Sequence, residues 1–128
     1  MAIVQVDQTF NPNTLLDNKK NEITMELQLS TDSPGEYWCE CDINAAAPLS
    51  LAHDVNLNIG RTRIGIIKQG KVLKKQVKLY SSSQIISGDY PVEITTYIYD
   101  CDGAIAERHD FKASIKCENQ NRQVLTNG

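Results

Sequence analysis

No run of 18 or more apolar residues occurs in the sequence, so no single helix is long enough to cross a membrane, and membrane insertion is not expected. The first residues, Ala2-Ile3-Val4-Gln5-Val6-Asp7 after the initial Met, lack the basic start and apolar core of a secretory signal. The expectation is a cytoplasmic protein, or an extracellular one if a leader has been removed. Positive charge is scarce as well: 13 Lys and Arg stand against 16 Asp and Glu, for a net charge of −3. Binding to phosphate backbones needs concentrated positive charge, which argues against a nucleic-acid partner. A local basic patch has one place to form, between Lys68 and Lys78.

Catalytic residue types are thin. The two histidines are His53 and His109. His109, between Arg108 and Asp110 in a β-rich run, reads as a solvated strand residue. His53-Asp54 reads as a loop pair, with no further ligands at zinc spacing. The serines of Ser81-Ser82-Ser83 are not in a Gly-x-Ser-x-Gly elbow. Asp100-x-Asp102-Gly103 is a fragment of a calcium loop without its other ligands or its terminal Glu, and reads as a hairpin turn. Gly60 to Gly65 lacks phosphate-loop spacing. No nucleophile and base can be paired, so no enzyme, no cofactor and no metal are expected.

The four cysteines are Cys39, Cys41, Cys101 and Cys117. An even count leaves a disulfide open. Cys39 and Cys41 lie two apart on one strand and share a face, and Cys-x-Cys is not the Cys-x2-Cys of a zinc knuckle. Reduced core thiols are the favoured reading.

What the chain does have is alternation. From Tyr90 to Cys117 two β-rich runs flank Asp102-Gly103, a pair suited to a tight hairpin. In the first, Val92, Ile94, Thr96 and Ile98 share one face, and Glu93, Thr95, Tyr97 and Tyr99 the other. In the second, Phe111, Ala113, Ile115 and Cys117 oppose Asp110, Lys112, Ser114 and Lys116. Such period-2 patterning defines strands with one buried face. Ile23, Met25, Leu27 and Leu29 alternate in the same way with Thr24, Glu26, Gln28 and Ser30.

A further run spans Glu36 to Asn44, where Tyr37, Cys39, Cys41 and Ile43 face away from Trp38, Glu40 and Asp42. Burying two unpaired carboxylates would cost several kcal/mol. Glu40 and Asp42 are therefore expected in water, with Trp38 beside them.

Strands are also expected from Ile3, Arg63 and Val72. Thr14 to Lys20 reads as a connection, and Leu49 to Val55 as either a helical turn or an edge strand. No segment keeps a helical period beyond one or two turns. The 128 residues are one domain's worth. About seven or eight short strands predict an all-β, single-domain, antiparallel immunoglobulin-like β-sandwich over residues 1–118, with a polar tail over 119–128.

Ser87-Gly88-Asp89-Tyr90-Pro91-Val92 and Tyr99-Asp100-Cys101-Asp102-Gly103 resemble segments of the immunoglobulin-like modules of archaeal and bacterial surface proteins, including the CARDB-type adhesion domains. The resemblance covers about residues 20 to 118 and implies a cell-surface adhesion or structural role. This chain lacks the second-strand cysteine of antibody domains, and its alternation turns Trp38 outward where those domains bury a Trp.

Trp38, Tyr97 and Tyr99 form the candidate binding site. All three point outward on strands that neighbour each other in an immunoglobulin-like sheet. Amphipathic aromatics on an exposed sheet suit an interface. Coverage by the chain's own segment 45–60 is the competing reading. The expected function is a non-enzymatic protein-binding or assembly module, using a sheet face or an edge strand toward a protein partner or a second copy of itself. Adhesion is the alternative, and a small hydrolase the least favoured.

Overall fold

A computed structural model describes residues 2–119. Among these residues there are nine strands and no helix: β1 (Val4–Asn11), β2 (Thr14–Leu16), β3 (Asn21–Thr31), β4 (Glu36–Ala45), β5 (Leu49–Ser50), β6 (Ile59–Lys68), β7 (Leu73–Ser81), β8 (Gly88–Tyr99) and β9 (Ile105–Glu118). They form two sheets. One runs β1-β3-β7-β5 and the other β2-β9-β8-β4-β6. Every pairing is antiparallel except that of β2 with β9.

The alternation in the sequence explains the layering. β3 buries Ile23, Met25, Leu27 and Leu29, and β8 buries Val92, Ile94, Thr96 and Ile98. β4 adds Cys39, Cys41 and Ile43, and β9 adds Ile115 and Cys117. These side chains belong to one apolar cluster fed by both sheets. β8 lies between β4 and β9, and the register sets Cys39, beside Ile98, and Cys117, beside Gly88, at opposite ends of β8, too far apart to pair. All four cysteines are free thiols, three buried and Cys101 exposed.

All seven strands expected from the sequence are present, and two more join them. Thr14–Leu16, read as a connection, pairs in parallel with Lys116–Glu118 and buries Leu15. Leu49–Ser50 resolves the open choice as an edge strand two residues long, paired with Ser81 and Tyr80 of β7. Neither is long enough to show a period.

The hairpin between β8 and β9 is looser than the tight turn expected. Five residues, 100–104, connect the strands. Asp100 sets the loop: its Oδ1 accepts the backbone N–H groups of Asp102 (2.9 Å) and Ala104 (3.0 Å), and its carbonyl accepts that of Gly103 (3.0 Å). Gly103 has φ 81°, a left-handed conformation that suits glycine. Beyond the loop, Ala106 is an extra residue, because Ile98 pairs with Glu107 and Tyr99 with Ile105.

A second irregularity lies in β6. Cys39 pairs with Gly65 and Glu40 with Arg63, leaving Ile64 without a Cα partner. Gly65 takes φ 139°, and a Cβ there would come within 3.3 Å of Leu73. The expected polar tail lies outside the described residues, apart from Asn119.

A candidate interaction face on the five-stranded sheet

The outer face of the β9-β8-β4-β6 sheet carries the residues singled out from the sequence. Pairing places them in cross-strand rows. Ile105, Tyr99, Trp38 and Ile66 make one row across four strands. Arg108, Tyr97, Glu40 and Arg63 make the next, and Asp110, Thr95, Asp42 and Arg61 the third.

The first row is apolar and open. Trp38 and Tyr99 stack with ring centroids 4.1 Å apart and planes 14° from parallel. Trp38 remains 37% exposed, and Ile66 and Ile105 are each 58% exposed. Tyr97 lies tilted against Tyr99 at 6.4 Å. The three aromatics therefore form one continuous surface. Segment 45–60 does not cover it. That segment runs to the other sheet, where His53 meets Tyr80 edge-on at 5.7 Å.

Behind the apolar row lies an ionic network. The Arg61 guanidinium clamps Asp42 through Nε–Oδ1 (2.6 Å) and NH2–Oδ2 (3.0 Å), and also reaches Glu40 Oε1 at 3.3 Å. Tyr99 donates its hydroxyl proton to the same Glu40 oxygen at 2.7 Å. Arg61 and Arg108 both lie over the Tyr97 ring, at 5.7 and 5.9 Å, within cation–π range.

Glu40 corrects an expectation. It points outward, but its side chain is only 10% exposed. The Tyr99 hydroxyl and Arg61 supply the contacts that water was expected to provide, so the carboxylate is enclosed without being orphaned. Its hydrogen bond raises the Tyr99 phenol above its ordinary pKa. The hydrogen bond from Arg61 holds the Asp42 carboxyl below the usual range.

Three members of this face were not found from sequence. Ile66 falls in Ile64-Gly65-Ile66-Ile67, where the bulge flips the phase so that Ile64 and Ile67 are both buried while Ile66 is exposed. Ile105 is brought opposite Tyr99 by the extra Ala106. Arg61 lies ahead of the strand expected from Arg63; β6 begins earlier, at Ile59, and so brings Arg61 opposite Asp42.

His109 was read as solvated. It is instead half-buried and contacts Glu107 Oε1 through Nε2 at 3.1 Å. Glu107 also accepts the backbone N–H groups of Ile3 (2.6 Å) and Val4 (3.0 Å), tying the start of β1 to the opposite sheet. Burial raises the Glu107 pKa, but the two amides and His109 together outweigh it and hold the carboxyl below its ordinary value. Asp100 Oδ1 is occupied by the turn amides, and among the described residues no cluster of three or more His, Cys, Asp or Glu has the arrangement of a metal site.

No family model and no curated protein matches the sequence. Among solved structures, the chain is similar in fold to Spo0M, a sporulation control protein from Bacillus subtilis, with a TM-score of 0.53 and 11% sequence identity. The likeness covers 92% of this chain and 50% of that one, so the chain spans half the length of Spo0M. At that identity the likeness is one of fold alone.

Proposed function

We propose that this chain is a non-enzymatic protein-binding or assembly module of immunoglobulin-like β-sandwich architecture, working through the outer face of the β9-β8-β4-β6 sheet. One observation carries the reading: a stacked Trp38–Tyr99 pair lies open between Ile66 and Ile105 in a single cross-strand row. An open apolar row bordered by charged residues is how protein interfaces are built, with aromatic and Arg anchors at the centre. The neighbour orders β1-β3-β7-β5 and β9-β8-β4 support the immunoglobulin-like part of the reading. The step from β4 through β5 in one sheet to β6 in the other is this chain's own variation. Three buried free thiols support a reducing, cytoplasmic setting, and the acidic balance supports protein over nucleic acid. Among the described residues no helix is long and apolar enough to cross a membrane.

Sedimentation equilibrium of the wild type beside Trp38→Ala tests the reading. Self-association weakened by more than about 1 kcal/mol in the variant, with folding intact, supports it. Self-association that Trp38→Ala leaves untouched moves the contact elsewhere. A monomer at every concentration leaves a partner of different sequence, whose retention on immobilised wild type must then be lost on Trp38→Ala.

A further inference from the structure

The stretch from residue 55 to 88 holds seven of the 13 basic residues and no acidic one. It contains β6 and β7, so the positive charge of a net-negative protein is gathered on two adjoining strands. Arg61, Lys68 and Lys78 are paired, with Asp42 and Glu40, Glu36, and Glu22 respectively. Arg63, Lys71, Lys74 and Lys75 have no ion-pair partner among the described residues.

Both strands are also open at an edge, but only one edge is regular. β6 has no neighbour beyond β4, yet Ile64 and Gly65 break its ladder in the middle, a device that discourages further pairing. β7 pairs with β3 without interruption from Leu73 to Ser81. Its other side meets β5 only at Tyr80 and Ser81, so the seven residues from Leu73 to Leu79 have a sheet partner on one side alone. β1 is also an edge, but it carries Asp7 and no cation.

Along β7 the side chains divide by face. Lys74, Gln76 and Lys78 are exposed, while Leu73, Lys75 and Val77 are half-buried on the core side. An inward-facing lysine at a free edge opposes pairing with an ordinary apolar strand. A strand bearing a carboxylate opposite it reverses that penalty.

We propose that the free edge of β7 receives an extended acidic peptide as an added antiparallel strand, continuing the line that β5 begins. Carboxylates on the incoming strand face Lys74, Lys75 and Lys78, and apolar side chains face Leu73 and Val77. Residues directly opposite in an antiparallel pair have Cβ atoms about 4.5–5.5 Å apart, within reach of a Glu–Lys pair. Backbone hydrogen bonds hold the strand, and alternate side chains select it. The unpaired backbone favours a peptide over a phosphate polymer, which needs the lysines alone. This edge is separate from the aromatic face, and either site stands without the other.

The probe is the peptide Val-Glu-Val-Thr-Glu-Glu-Val, acetylated and amidated, titrated into the full chain and followed by the backbone amide resonances of residues 73–79. Saturable shifts there are expected. Methylating the peptide nitrogens at alternate residues should abolish binding in one phase and spare it in the other, since an added strand uses alternate amides toward its neighbour. Lys74→Glu with Lys78→Glu should weaken binding about tenfold or more, Lys74→Gln with Lys78→Gln less, and Trp38→Ala not at all. Absence of saturable shifts at millimolar peptide would overturn the proposal. Equal binding of both methylated phases would reduce the site to simple charge attraction. Displacement of the peptide by a single-stranded oligonucleotide, or binding of phosphatidylserine-containing vesicles in its place, would assign the lysines to a different polyanion.

Discussion

Replacing Glu107 by alanine should cost about 2–4 kcal/mol and loosen the start of β1. The carboxylate accepts two backbone N–H groups, from Ile3 at 2.6 Å and Val4 at 3.0 Å, as well as meeting His109. A hydrogen bond to a charged group contributes about 1.5–3 kcal/mol, and a donor left able to reach water loses less than that. The Val4 side chain is fully buried and that of Ile3 packs against the core, so neither amide is freely rehydrated in place. Taking about 1–2 kcal/mol for each amide gives the sum. Urea unfolding measures the total, and hydrogen exchange at Ile3 and Val4 locates it.

The effect has a definite pH sign. Glu107 is held below its ordinary pKa of 4.5 in the folded chain. Its contribution is therefore fully present above about 4.5 and is lost as pH falls through the lower, folded value. The gap between wild type and Glu107→Ala should stay constant down to about pH 5 and shrink below it. Glu107→Gln retains one acceptor oxygen, so it should fall between the two and show no such closing. A cost below about 0.5 kcal/mol, continued protection of both amides, or a gap that widens on acidification would refute the clamp.

Ile94→Ala should destabilise by about 2–5 kcal/mol, as large-to-small core changes do, and Tyr97→Ala by less, because Ile94 is buried and Tyr97 faces outward; the reverse order in denaturant midpoints would invert the two faces of β8. Thr96→Val should raise the unfolding free energy by about 1 kcal/mol, since the buried Thr96 hydroxyl has no hydrogen-bond partner among the described residues and its replacement by a methyl keeps nearly the same shape; a fall would mean the hydroxyl is satisfied. Burial pushes the Cys39 and Cys41 thiols up to about 12, and Cys117 is raised as well, while Cys101 is exposed in the 100–104 loop. Alkylation of the native protein near neutral pH should therefore add one label quickly, as read by intact mass, with the other thiols reacting only after unfolding.

Strand existence and facing were legible wherever alternation ran undisturbed. β3, β4, β8 and the second half of β9 alternate, and their inward face is the one read from the sequence, though Glu40 on the outward face of β4 is buried as well. β2 and β5 were not legible, because three and two residues cannot display a period and are strands only through Lys116–Glu118 and Tyr80–Ser81. The bulges at Ile64 and Ala106 were hidden for a related reason. Each is a local surplus of one residue, defined by the partner strand rather than by its own neighbours. Both bulges bring an isoleucine to the aromatic face, so the row could be read only at its centre. Asp100 is a different case. An Asx residue that closes its own turn was present in the sequence, but Asp102-Gly103 drew the reading to the shorter hairpin.

The aromatic row and the ionic network behind it act as one device. Trp38 and Tyr99 are direct neighbours across β4 and β8, which brings the rings together but does not orient them. The Tyr99 hydroxyl is fixed by Glu40, Glu40 is held by Arg61, and Arg61 is clamped by two bonds to Asp42. The chain of contacts ends on Tyr97, whose ring lies beneath Arg61 and Arg108. An exposed ring pair would ordinarily sample several rotamers and give up that freedom on binding, at about 0.5–1.5 kcal/mol for each side chain immobilised. Here the Tyr99 ring is held through its hydroxyl, and Trp38 stacks on it. The enclosed carboxylate of Glu40 is what makes it so: a charge with so little access to water must keep its partners, and one of them is Tyr99. The low exposure of Glu40, which departs from the sequence expectation, is thus the feature that turns two exposed rings into a preformed surface.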